Sequence, residues 1–238
     1  FSYSLNAAKI RVFNNVYPVL ISLIIASAII ILLPGSTLYS MFNYDRIFGT
    51  SVDKIYYPVN AAEFSKQNNI ITPDSRVFNS FENGGYLIWK LSGAKNFIDS
   101  RNLNDDIYFT YKMINNKQHG FEQKLSSLNF DVVFWSYTKL PWNSSELNTS
   151  ILSYLFKNNG SWKLVYWDDN SFIFVKNNER YKDVIEKYEY KYVNPYYYIF
   201  DKTPLQNALT SDPGSVTSEI KRSLNENPDG VFTKAMAK

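Results

Sequence analysis

The chain has no cysteine, a single histidine (His119), nine glycines and nine prolines among 238 residues. Without cysteine there is no disulfide framework and no thiolate nucleophile. One histidine without a thiol makes no soft-ligand cluster and no histidine-based hydrolytic triad, so no catalytic residue and no metal site are assigned. Charge of one sign is lacking too: 25 Lys and Arg against 22 Asp and Glu give +3. That is too weak and too evenly spread for a nucleic-acid partner. No complete Gly-rich fingerprint is present, and the Asp168-Asp169-Asn170 turn lacks the ligand spacing of a calcium loop. No cofactor is expected.

What is present is aromatic: 19 Tyr and 17 Phe, in a chain 45% hydrophobic and 20% charged. That is ordinary globular composition, enough for one domain of about 120–150 residues and a smaller appendage. The first residue is Phe1 rather than Met, and the chain reads as a piece of something longer.

One stretch stands apart. Val12 to Leu33 (VFNNVYPVLISLIIASAIIILL) carries no Asp, Glu, Lys, Arg or His. As a helix it would cover roughly 33 Å, against a bilayer core of about 30 Å. A buried core helix would be unusually long for lack of a polar face, and Leu32-Leu33-Pro34-Gly35 is a poor signal-cleavage site. Residues 12–34 are therefore expected to form a transmembrane helix. Lys9 and Arg11 put residues 1–11 on the cytoplasmic side and the remainder outside, in the periplasm or extracellular space, with membrane lipid as a partner.

Residues 35–57 read as a connector, followed by an α/β pattern over 58–177. Pro58 suits a first helical turn. Strands are expected at Arg76–Asn79, Lys95–Ser100 and Asp131–Trp135, the last apolar on both faces as in a sheet covered on both sides. Helices are expected at Tyr86–Leu91, over 105–116 and 118–128, and from Ser144 or Ser145 to Phe156. Trp162–Tyr166 and Ser171–Val175 flank an Asp-Asp-Asn turn, a hairpin signal. The fold class is thus α/β: a transmembrane helix, a small three-layer domain with an antiparallel hairpin at one edge, and a helical tail over 178–238. In the tail, LTSDPGS and LNENPDG are similar turn signals, either the start of a helical repeat array or a C-terminal cap.

Two places carry candidate ligand-binding residues. Asn83-Gly84-Gly85-Tyr86 follows a strand and opens a helix; Gly84 and Gly85 either expose backbone N–H groups to an anion or let the helix pack close to the sheet. Asp99 and Arg101 follow the second strand, where carboxyl ends of strands line ligand crevices. They either recognise a polar ligand or pair and cap the next helix. Asp168 and Asp169 form a carboxylate pair but belong to turn geometry rather than glycoside chemistry.

The order Pro58 to Phe64, Arg76-Val77-Phe78-Asn79, Gly84 to Trp89, Phe97-Ile98-Asp99-Ser100-Arg101 and Trp162 to Tyr166 resembles the exterior C-terminal region of GT-C class multi-pass membrane glycosyltransferases, the protein mannosyltransferase superfamily. The resemblance covers about residues 15–177, with tetratricopeptide-like repeats implied after it. It implies sugar transfer from a polyprenyl-phosphate carrier to an exterior glycan or protein acceptor. No acid precedes the apolar stretch, so the family's catalytic residue has no counterpart and this piece would be non-catalytic by itself. The alternative is a non-enzymatic, membrane-anchored envelope protein that binds a protein or glycan or serves surface assembly.

Overall fold

A computed structural model describes residues 2–32, 52–54, 56–101, 104–137, 146–228 and 230–237, the side chains of 2–15 and of Glu146 excepted. The chain divides into two compact units, Phe1–Asp53 and Lys54–Lys238. The expected connector falls mostly outside the described residues.

The first unit contains helix α1, Ser2–Leu32, with Pro18 inside it. Ser22 Oγ donates to the Pro18 carbonyl at 2.8 Å, one turn back. The described side chains, residues 16–32, are all exposed. Among the described residues no helix is long and apolar enough to cross a membrane. This corrects the expected transmembrane helix. The lipid partner, the sidedness drawn from Lys9 and Arg11, and the exterior placement of the rest are withdrawn with it.

The second unit is a mixed α/β domain. Its elements are α2 (Val59–Gln67), β1 (Arg76–Asn79), α3 (Gly84–Lys90), β2 (Lys95–Asn96), α4 (Asp105–Asn115), α5 (Phe121–Ser127), β3 (Val132–Ser136), α6 (Glu146–Thr149), α7 (Ile151–Lys157), β4 (Trp162–Trp167) and β5 (Ser171–Lys176). A 3-10 turn at Glu179–Tyr181 leads into α8 (Lys182–Tyr188), α9 (Pro195–Ile199), α10 (Thr203–Ser211), α11 (Pro213–Glu226) and α12 (Val231–Met236).

The five strands run in the order β2-β1-β3-β5-β4. β1 is parallel to β2 and β3, while β5 is antiparallel to β3 and β4. Register sorts the side chains by face. Phe78 opposes Val133, which opposes Phe174, which opposes Leu164. These four residues belong to one large aromatic core with Tyr111, Ile114, Leu152 and Phe156. Because successive strand residues alternate faces, Val77, Val132 and Val175 form the opposite row, and all three are fully buried. α2 adds to this side with buried Ala61 and Ala62, and its Phe64 ring lies 4.7 Å from the Tyr166 ring. Both faces are therefore covered, which is why β3 reads as an unbroken apolar run.

Tail residues belong to the same core: Tyr190, Val193, Tyr196, Ala208 and Val216 all join the aromatic cluster. Buried Glu219 accepts the backbone N–H groups of Lys191, Tyr192 and Val193 at 2.8–3.0 Å. The expected tetratricopeptide-like repeat is corrected here. Helices of nine, fourteen and six residues, each packed on its neighbour along the chain, differ too much in length to be a stack of like units.

Candidate functional site

The chain leaves β1 for β2 on one side and returns past β1, through α4 and α5, to β3 on the other. The carboxyl ends of β1 and β3 therefore flank a topological switch point, the notch where open α/β sheets hold ligands. The sequence places polar residues there after apolar runs: Asn79 ending β1 with Ser80 after it, and Ser136 ending β3. Ser80 Oγ lies 3.0 Å from Ser136 Oγ, and Asn83 Nδ2 donates to Ser136 Oγ at 2.8 Å. All three side chains are at most 2% exposed. The notch is filled by this satisfied network, and the accessible surface moves to its rim beside β2.

Asn79 builds that rim. Its Oδ1 accepts the Phe97 N–H at 2.9 Å, and its Nδ2 donates to the Ile98 carbonyl at 2.7 Å. The Phe97 N–H still donates to the Val77 carbonyl at 2.9 Å, and beyond it this fully buried side chain takes over from the strand ladder just ahead of Asp99. This is why β2 stops at Asn96 instead of continuing to Ser100.

Gly84 meets the same segment from α3. A Cβ there would overlap the Ile98 carbonyl oxygen and stand 2.7 Å from Asp99 Cα. Asn96 Nδ2 donates to the Gly84 carbonyl at 2.9 Å, fixing the approach. Gly85 has nothing within 4 Å of its Cβ position and borders open space. Neither glycine has a positive φ, so the requirement at Gly84 is spatial.

Asp99 and Arg101 form a two-pronged pair. Arg101 Nε donates to Asp99 Oδ1 at 2.8 Å and Nη2 to Oδ2 at 2.6 Å, while the Arg101 backbone N–H also reaches Oδ1 at 2.9 Å. The Asp99 side chain is 16% exposed and that of Arg101 64%. The guanidinium's hydrogen bonds hold the Asp99 carboxyl below its ordinary range, and the same bonds raise Arg101. Both groups are charged at neutral pH. The structure thus joins Gly84 to Asp99 and Asp99 to Arg101. The cap of α4 is supplied instead by Asn104, whose side chain accepts from Asp106 and Ile107.

The carboxylates of the hairpin turn do other work. Asp168 is buried, accepts the Tyr166 hydroxyl at 2.8 Å and the Asn170 N–H at 2.9 Å, and burial pushes its carboxyl up to about 6. Asp169 accepts the N–H groups of Val231 and Phe232 and so caps α12. No group of three or more His, Asp or Glu able to hold a metal occurs among the described residues.

Compared with known proteins, the chain matches no family model, no curated protein and no solved structure. The resemblance to GT-C glycosyltransferases is therefore corrected. It rested on short α/β phrases that this fold explains locally: Asn79 and Gly84 are packing residues of one corner. With it fall the polyprenyl-phosphate sugar donor, the glycan or protein acceptor and the membrane-anchored envelope alternative.

Proposed function

We propose that Lys54–Lys238 is a ligand-binding α/β domain that takes a small oxyanion, carboxylate or phosphate, at the β1–β2 rim. Arg101 is the reading group, Asp99 positions it, and Gly84 and Gly85 form the adjoining wall. The observation that carries this is the orientation of one guanidinium. Asp99 occupies its Nε–Nη2 edge, and among the described residues the guanidinium makes no other hydrogen bond or ion pair. The Nη1–Nη2 edge matches the two oxygens of a carboxylate or phosphate. Holding one edge spares a ligand part of the entropic cost of ordering a long side chain. The paired Asp99 offsets the positive charge, so affinity is modest and salt-sensitive.

Calorimetric titration of the full chain with inorganic phosphate and with citrate tests this. Saturable binding at low salt is expected in the parent and lost in Arg101→Gln. Arg101→Lys should bind more weakly, because a point charge cannot present two parallel donors. Equal binding by the parent and Arg101→Gln, or no binding by either, would overturn the assignment.

A further inference from the structure

The pair Asn-Gly occurs twice in the chain, at Asn83-Gly84 and at Asn159-Gly160. Asparagine is a thermolabile residue. The backbone nitrogen of the next residue can close a five-membered ring on the asparagine Cγ, and glycine has no Cβ to obstruct that approach. Whether the ring closes depends on how free the amide and the nitrogen are in the fold.

The two pairs are held in opposite ways. Asn83 is 1% exposed, and its Nδ2 donates to Ser136 Oγ at 2.8 Å. Gly84 is wedged against the Ile98 carbonyl. Asn159 and Gly160 are both exposed, in the turn that joins α7 to β4. Nothing lies within 4 Å of the Cβ position of Gly160, and its φ is not positive. Among the described residues the Gly160 N–H donates no hydrogen bond. The Asn159 amide meets the Tyr197 hydroxyl, which itself donates to the Phe156 carbonyl. The nucleophile is therefore open to water, and the side chain has one neutral contact to give up.

We propose that Asn159 is a site of spontaneous modification through a cyclic imide, giving aspartate and isoaspartate, and that Asn83 is protected from it. The Gly160 nitrogen loses its proton and attacks Asn159 Cγ. The new N–Cγ bond forms as the Cγ–Nδ2 bond breaks, and Nδ2 leaves as ammonia with the proton. Water then adds to one of the two imide carbonyls and opens the ring. Opening at Cγ leaves aspartate; opening at the backbone carbonyl leaves isoaspartate, with the chain running through the side chain. Nothing is oxidised or reduced, and water is the only co-reactant.

The isoaspartyl product lengthens the backbone inside a fastened turn. The N–H groups of Ser161 and Trp162 both donate to the Asn158 carbonyl at 3.0 Å. On the other side Asn177 Nδ2 donates to the Gly160 carbonyl and the Asn177 N–H to the Ser161 carbonyl, each at 2.9 Å. An extra chain carbon between these fixings loosens the entry to β4.

The test incubates the full chain in oxygen-18 water at mildly acidic and mildly alkaline pH, then maps tryptic peptides by mass spectrometry. The peptides 158–163 and 77–90 separate the two pairs. Labelled acid should accumulate at Asn159, faster at the higher pH because the attacking nitrogen must lose its proton. Conversion at Asn83 should be about tenfold or more slower, since its buried hydrogen bond has to break first. An isoaspartate-specific methyltransferase should label the 158–163 peptide, and amide exchange in the aged protein should quicken at Ser161 and Trp162. Gly160→Ala, which has room for its methyl group, should fold normally and convert more slowly. Equal rates at Asn83 and Asn159, no labelled acid at Asn159, or an unchanged rate in Gly160→Ala would overturn the proposal.

Discussion

Replacing Gly84 by alanine adds one methyl group at the corner that carries the rim. The new carbon would meet the Ile98 carbonyl oxygen and stand 2.7 and 2.8 Å from Asp99 Cα and Cβ. Two of these three obstacles are backbone atoms, held in turn by Asn79, so they cannot swing aside as a side-chain tip would. Overpacking of this kind costs about 1–3 kcal/mol, and rigid surroundings put this case at the upper end. Alanine returns up to about 1 kcal/mol in helix propensity. The net is about 2 kcal/mol of destabilisation, roughly 4–8 °C in melting temperature for a unit of this size. Gly85→Ala is the control, since its Cβ meets nothing within 4 Å and should leave stability unchanged or raise it by up to about 1 kcal/mol. Thermal and urea melts followed by circular dichroism decide the matter. If Gly84→Ala proves as stable as Gly85→Ala, the close approach of α3 to Ile98–Asp99 is wrong.

Three further outcomes follow from buried polar groups. Asp168 has its carboxyl raised from 3.8 to about 6 by burial, so its neutral form is favoured in the folded state. Its contribution is fully present below about 4 and is lost as pH rises through about 6, a difference on the order of 3 kcal/mol; Asp168→Asn should flatten this part of a urea-midpoint-against-pH curve. Asn79→Leu leaves the N–H group and the carbonyl of Ile98 without their partner, while the Phe97 N–H keeps the Val77 carbonyl, at a cost of about 2–4 kcal/mol, and amide exchange should quicken first at Ile98. Asp169→Ala removes the cap of α12 at about 0.5–2 kcal/mol, with exchange faster at Val231 and Phe232 and unchanged in β3.

The strands were legible because their apolar runs are bracketed by polar residues. Arg76–Asn79 has the same limits in sequence and structure, β4 and β5 each extend one residue further at one end, and β3 is shifted by one residue. What pattern could not reveal was competition between side chain and backbone. The single helix expected through Phe156 breaks at Ser150, whose hydroxyl accepts the Leu152 N–H and starts α7 afresh. β2 ends early because Asn79 takes over its hydrogen bonds, a role that an Asn at the end of an apolar strand does not announce. The tail read as helices, but its attachment did not, since Glu219 and Asp169 meet partners 26 to 63 residues distant. At the rim, Asp99 and Arg101 stand close in sequence and their pairing was one of two open readings. The burial of Ser80, Asn83 and Ser136 as one network depends on the pairing of β1 with β3 and has no local signature.

The central claim is that Arg101 offers a preset edge to an oxyanion. The most direct measurement is the side-chain nitrogen NMR spectrum of the full chain during titration with inorganic phosphate. The account predicts that the Arg101 Nη signals shift saturably while the Nε signal, bound to Asp99, stays nearly fixed. Stationary Arg101 signals, or equal shifts at Arg76, Arg180 and Arg222, would contradict it.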